Sequence, residues 1–436
     1  MNAKSAFYEK DITPPVGIYL AGFGFRNKPS EGIDDPLYLR IVILQDEYGK
    51  KFIIVTADVL KFPKDMSYRL KLWVSMTLNL DPSCLLLNSS HTHCGPLLSQ
   101  SKTYPHWPLD PAYVNSLEND IKSGILDALG RLEDSKFEYG LSRDDFAVNR
   151  RLPKSDGTVG WGANESGYCD NDVPVITVYE SSDKLKAVIC SCACHPTSKG
   201  AYLISADYPG AISRALKKSF GDDVYTIFLQ GAGGSSKPKF YDKETKVFVQ
   251  ASPEKVEELG KKSADKICSF INSGKMRQIK LRLSSEEKII KFPLDSSVFP
   301  SDSALMDLIE NDSNDYGTSP LTNRMWAENM LERKRTVNLY FFYDMLVNKT
   351  YLAEGLTLIG CSGELTAEAG RIVKETFSGG DLILLGYCFY TDAYIPTDEM
   401  LPEGGYEVLA ASRGAMLAAP FKKGINNIFK SDFFRS

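Results

Sequence analysis

Short apolar runs rich in β-branched residues alternate along this chain with stretches whose apolar positions recur at helical spacing, which predicts an α/β protein. Arg40-Ile-Val-Ile-Leu44, Phe52-Ile-Ile-Val-Thr56, Cys84-Leu-Leu-Leu87, Val173 to Tyr179, Val224 to Leu229, Leu356 to Gly360 and Leu382 to Leu385 read as buried strands. Pro111 to Leu132, Ala211 to Phe220 and Val256 to Ile271 read as amphipathic helices able to cover a sheet face. The runs 41–44 and 52–55 are linked only by the turn-rich Glu47-Tyr-Gly-Lys-Lys51. That link predicts a hairpin, and with it mixed rather than purely parallel sheets. Ser296 to Asn323 is rich in Ser, Asp, Asn and Pro and poor in pattern, so it predicts a surface excursion ahead of a helix near Trp326 to Arg335. No repeat, low-complexity tract or clean linker divides the chain. The expectation is one large α/β domain over residues 1–436, with mixed β-sheets flanked by helices.

Composition narrows the classes. The chain of 436 residues has 43% hydrophobic and 25% charged residues, which is enough apolar material for a large core. Its net charge is -5, and no basic stripe exists that would neutralise a phosphate backbone, so nucleic acid is excluded as a partner. No apolar stretch approaches the ~18 residues of a membrane span. Met1 to Asp11 lacks the apolar core of a secretory signal. The expectation is a soluble chain, cytoplasmic as written, with secretion or a periplasmic location left open. Nine cysteines, an odd number, argue for reduced thiols rather than a disulfide framework. Cys190, Cys192 and Cys194 alternate and would share one face of a strand, as core side chains in preference to a thiolate metal cluster.

Candidate chemistry collects at predicted strand ends. Two of the chain's four histidines stand one residue apart in Asn88-Ser-Ser-His-Thr-His-Cys-Gly-Pro96. In an extended continuation of the preceding strand, His91 and His93 would face one cleft, as half of a metal site or an acid–base site. Cys194-His-Pro-Thr-Ser198 holds His195, and Cys361-Ser-Gly-Glu-Leu-Thr366 places Glu364 near a predicted helix start. Thr391-Asp-Ala-Tyr-Ile-Pro-Thr397 follows another strand. The glycine-rich Gln230-Gly-Ala-Gly-Gly-Ser-Ser-Lys-Pro238 lacks phosphate-loop spacing, so nucleotide is not implied. Taken singly, each element has an ordinary explanation: His195 as a hydrogen-bonded core residue, Glu364 as a helix N-terminal charge, Arg150 and Arg151 as solvated or ion-paired cations. His106, beside Trp107, reads as structural or as a pocket rim.

Their order is what adds information. His91-Thr-His-Cys-Gly-Pro96, Cys194-His-Pro-Thr-Ser198, Ser362-Gly-Glu-Leu-Thr366, and Tyr394-Ile-Pro-Thr397 followed by Glu403-Gly-Gly-Tyr-Glu407 resemble the motif series of the neutral, non-lysosomal ceramidases. Asp11-Ile-Thr-Pro14, Gly32 to Leu37, Thr56-Ala-Asp58 and Val148-Asn-Arg-Arg151 add weaker matches, so the resemblance runs from the first strand to about Glu407.

The resemblance implies a zinc ion held by His91, His195, Glu364 and Tyr394, with His93, Arg150 and Tyr406 close to the scissile amide. The implied activity is hydrolysis of ceramide or another N-acyl compound, lipid or small molecule, by metal-activated water. The chain also departs from the pattern. Gly231 stands where ceramidases carry a serine, Ser235 replaces an aspartate, Cys94 replaces a serine, and no C-terminal β-sandwich domain is expected after Ser436. Two alternatives follow: a non-catalytic or altered-specificity metal-binding relative, and a cysteine hydrolase using Cys94.

Overall fold

The computed structural model describes residues 2–100, 107–311, 320–336 and 341–435. Among these, the larger sheet has nine strands. Its path runs Tyr225–Gln230, Leu185–Cys192, Asp172–Glu180, Glu133–Arg143, Lys4–Asp11, Tyr38–Gln45, Lys51–Ala57 and Leu85–Ser89, with Arg277–Ile279 added beside Glu133–Arg143. The outermost pair at each end is parallel and the pairs between are antiparallel. The predicted hairpin is present, with Gln45 opposite Lys51. A second sheet orders Leu281–Pro293, Phe342–Ala353, Leu356–Cys361 and Asp381–Leu385, and its last pair is parallel. The expected α/β class with mixed sheets therefore holds.

The two sheets face each other over one core, to which Leu44, Ile54, Ile189 and Leu229 contribute from the first and Leu352, Leu358 and Ile383 from the second. Each such side chain contributes roughly 1.5–3 kcal/mol by leaving water, so this shared layer holds the sheets together. Helices close the outer faces. Pro111–Leu129 starts at an Asp110 cap and lays Leu117, Ile121 and Ile125 against the larger sheet. Asp207–Phe220 and Pro253–Ile271 pack on each other and on Val175, Val188 and Phe228. Ala367–Thr376 joins Phe429 and Phe434 over Val347 and Ile359 of the second sheet.

One local expectation is refined. The predicted excursion contains a helix, Asp302–Glu310, capped by Ser301. With Pro320–Arg335 it forms a small core of its own, in which Leu305, Leu308, Trp326, Ala327 and Met330 meet Met416 and Ala418. The helix is short, and two of its buried apolar partners, Met416 and Ala418, lie about a hundred residues away, so its period is hidden among polar neighbours. Glu364 lies near a helix start, as expected: it sits in the two-residue strand Glu364–Leu365, and the helix begins after the Thr366 cap. Cys190, Cys192 and Cys194 are core residues, as expected. His106 lies outside the described residues, as does the part of the excursion between 312 and 319. Among the described residues no helix is long and apolar enough to cross a membrane.

Candidate metal centre

The C-terminal ends of Leu85–Ser89, Tyr225–Gln230 and Asp381–Leu385 meet along the seam between the two sheets. Backbone bridges pair Asn88 with Cys388 and Gly231 with Leu385. The Asn88 side-chain amide donates to Gly386 O at 2.9 Å and Gln230 O at 3.3 Å. The crevice beyond strand ends is where α/β sheets place their ligands. Here it receives His91, His93, His195, Glu364 and Tyr394.

His91 and His93 converge by a different route from the one expected. The chain does not continue extended past Ser89; His91 adopts a left-handed conformation (φ 64°), and its N–H donates to Val59 O at 3.0 Å. A non-glycine residue in this region is strained, and such strain concentrates at functional sites. Glu364 and Tyr394 are brought together by a short parallel pairing in which they are direct register partners.

Five polar side-chain atoms then crowd one buried spot. His91 Nε2 lies 3.4 Å and His195 Nε2 3.3 Å from Glu364 Oε2. The Tyr394 hydroxyl lies 3.3 Å from His195 Nε2, and His93 Nε2 lies 3.3 Å from His91 Nε2. Ring nitrogens of His91, His93 and His195 all fall within 4.8 Å of one another, a histidine triad able to hold a metal ion.

The far sides of the rings decide which lone pairs face inward. A backbone carbonyl only accepts, so His91 Nδ1 donates to Leu60 O (2.7 Å) and His195 Nδ1 donates to Gly233 O (3.1 Å). With the hydrogen on Nδ1, each uncharged ring presents an Nε2 lone pair to the carboxylate. Burial pushes the His195 imidazole down to about 4, helped by the Arg150 charge, so it is neutral at physiological pH. Burial would raise the Glu364 carboxyl, and a positive charge on His91 or His195 would instead draw it well below its ordinary value, so the site favours a cation beside an ionised carboxylate. Glu364 Oε2 is buried and has no hydrogen-bond partner. Inward lone pairs around an unpartnered anionic oxygen repel one another unless a cation lies among them, so this donor set fits a divalent metal. His93 differs, because its buried Nδ1 meets no acceptor. It is held by packing, with Phe23 at 4.9 Å between ring centroids and Gly22 against its ring.

The other expected residues lie alongside. Arg150 is buried, and its Nε donates to Glu407 Oε1 at 2.7 Å and its Nη2 to Gly234 O at 2.5 Å. Its guanidinium rests over the rings of Trp161, Tyr394 and Tyr406 at 4.7, 5.4 and 5.3 Å. Tyr406 and Tyr394 line a cavity of about 730 Å³ that also reaches His91 and Glu364. Burial pushes the Tyr406 phenol up to about 12, so it remains a donor. Cys94 is turned away from the imidazoles, taking a hydrogen bond from Arg26 and donating to Lys199 O. Burial pushes its thiol up to about 12, which argues against its use as a nucleophile. At Gly231 a side chain would be aimed at Ala193 and Cys192 O, each 3.2 Å from the Cβ position.

Two residues escaped the sequence reading. Glu407 neutralises both Arg150 and Arg151, and the only signal for it is the pair of adjacent arginines in need of a buried carboxylate. Tyr387 touches two of the histidines, and its only signal is its place just beyond the strand Asp381–Leu385.

Set against solved structures, all of this chain superposes on 73% of the neutral ceramidase from Pseudomonas aeruginosa, with a TM-score of 0.72 and 16% identity. A ceramidase complexed with C2 is matched over 99% of this chain and 74% of its own, with a TM-score of 0.73 and 14% identity. No protein-family model matches the chain, and no curated protein does. The protein thus has the neutral ceramidase fold, with a buried histidine–carboxylate cluster at the seam of its two sheets.

Proposed function

We propose that this chain is a zinc-dependent hydrolase that cleaves the amide bond of an N-acyl compound, in the manner of the ceramidases whose fold it shares. The observation that carries this reading is the convergence of His91 Nε2, His195 Nε2 and the Tyr394 hydroxyl on Glu364 Oε2, a buried carboxylate oxygen with no hydrogen-bond partner. His91, His195, Glu364 and Tyr394 are the residues that would hold the ion. Backbone carbonyls fix both imidazoles through Nδ1, the usual outer support of metal-binding histidines. When bound, zinc supplies Lewis acidity and lowers the pKa of a water to about 7.

The protein's own groups do the rest. His93 lacks the carbonyl anchor of the other two, which leaves its imidazole to hold or pass a proton beside the scissile amide. The Tyr406 hydroxyl borders the cavity and is placed to donate to the carbonyl oxygen as negative charge grows there; one such donor typically supplies ~3 kcal/mol. Arg150, committed to Glu407 and Gly234 O, acts through the tyrosine rings it supports. Phe23, Phe62, Leu97 and Trp107 give the cavity apolar walls suited to an acyl chain, and Lys64 and Asp392 stand among its polar groups.

The test is metal analysis of protein purified without added zinc, followed by a screen of N-acyl sphingoids and N-acyl amino acids. Stoichiometric zinc and chelator-sensitive amide cleavage are expected. His91→Ala and His195→Ala should each lose the ion, and His93→Ala should keep it while losing turnover. Full zinc occupancy in both of the first two would overturn the ligand set. Zinc without turnover on any substrate would make the chain a non-catalytic metal-binding relative.

A further inference from the structure

Tyr387 is the residue through which three separate segments of the centre are joined. Its N–H donates to Gly363 O at 3.0 Å, next to Glu364. Its own carbonyl accepts from Ser89 N at 3.1 Å and from the Ser89 hydroxyl at 3.2 Å, two residues before His91. Its ring packs on the His91 imidazole with centroids 4.2 Å apart. Its hydroxyl lies 3.2 Å from His195 Nδ1. The residue is 1% exposed and held left-handed at φ 57°, a conformation that a bulky aromatic side chain adopts only when its surroundings over-determine it.

From this geometry we infer that Tyr387 is the positioning residue of the centre, fixing the His195 tautomer and the His91 ring plane so that both Nε2 lone pairs meet at Glu364. The chemistry at His195 is constrained. Gly233 O can only accept, so Nδ1 carries the hydrogen, and the Tyr387 hydroxyl, able to play either part, then serves as a second acceptor that reinforces the Nδ1–H tautomer. A protonated Nε2 would present a hydrogen to the ion instead of a lone pair. At His91 the ring of Tyr387 takes one face, and Leu60 O fixes the edge. The inference deepens the proposed function and rests on it for the identity of the ion.

The test uses the full chain and Tyr387→Phe, which keeps the ring on His91 and removes only the hydroxyl beside His195 Nδ1. Zinc affinity is read by chelator competition, the ligand field by the visible spectrum after cobalt substitution, and folding by the unfolding midpoint of the metal-free protein. The expected result is about tenfold weaker zinc binding, the low end of what such supporting partners contribute, with a shifted cobalt spectrum. A purely structural role would lower the metal-free midpoint and leave affinity and spectrum unchanged, and that outcome overturns the inference. Two-bond ¹H–¹⁵N correlation of the imidazoles in the unmodified protein is the second measurement. It should show His195 as the Nδ1–H tautomer, and an Nε2–H tautomer also overturns the inference, whether or not the variant folds. Failure of the unmodified protein to bind zinc or cobalt sinks the proposed function instead, and the His195 tautomer compared between that protein and Tyr387→Phe then decides the role of Tyr387.

Discussion

Replacing Glu407 by glutamine removes a charge and little else, which makes it a sharp probe of the polar layer beneath the centre. The carboxylate accepts from Arg150 Nε at 2.7 Å and Arg151 Nη1 at 2.8 Å, and the three side chains are 2–4% exposed. At an effective dielectric constant of ~20 and a charge separation of ~4 Å, each guanidinium attracts the carboxylate by about 4 kcal/mol, against a desolvation cost of several kcal/mol. Removing one member of such a group costs ~3–5 kcal/mol, because the cations stay buried without their counter-charge. Arg151 retains Glu403 and Gly404 O, and Arg150 retains Gly234 O and the rings of Trp161, Tyr394 and Tyr406, so the low end, about 3 kcal/mol, is expected. Urea unfolding at neutral pH reads this as a lower midpoint. The difference also has a pH signature. Burial would raise the Glu407 carboxyl, but Arg150 and Arg151 hold it below its ordinary 4.5 in the folded protein. A depressed folded value stabilises fully above the unfolded value and is lost as pH falls through the folded one. The gap between the parent protein and Glu407→Gln should therefore be constant above about pH 5 and narrow below it. A gap under about 1 kcal/mol, or one unchanged at acid pH, would refute the argument.

Three further outcomes are expected. Gly231→Ser should lower stability by ~1–3 kcal/mol without creating ceramide hydrolysis, since the new side chain faces Ala193 and Cys192 O; ceramide turnover by that variant would show that the hydroxyl does reach substrate. Gly22→Ala should retain the metal and lose most turnover, because a Cβ there sits 2.6 Å from the His93 ring on a backbone at φ 99°; unimpaired kcat would free His93 from the mechanism. Iodoacetamide at pH 8 should leave both Cys94 and activity intact, as peptide mapping can check, because the buried thiol is held at about 12.

Much of the fold was open to inspection in the sequence, since buried strands and amphipathic helices announce themselves through local period. The hairpin at residues 41–55 and the helices Pro111–Leu129, Asp207–Phe220 and Pro253–Ile271 are of this kind. What stayed hidden depends on pairing between distant segments. Glu364 reads locally as a helix-start charge, and only its register with Tyr394, thirty residues on, makes it part of a metal centre. His91 and His93 read as an extended pair, whereas a left-handed turn, specified by contacts to Val59 and Tyr387, brings them together. Glu407 and Tyr387 carry only faint local signs, a motif end and a place just beyond a strand, because their importance lies in what they touch.

The seam between the sheets gives the centre a property that neither sheet has alone. His91 and His195 come from the first 200 residues, while Glu364, Tyr387 and Tyr394 arrive with the second sheet. Any ion captured by both groups acts as a clasp across the halves, so chelation should loosen the whole molecule cooperatively and an isolated N-terminal fragment should have almost no grip on metal.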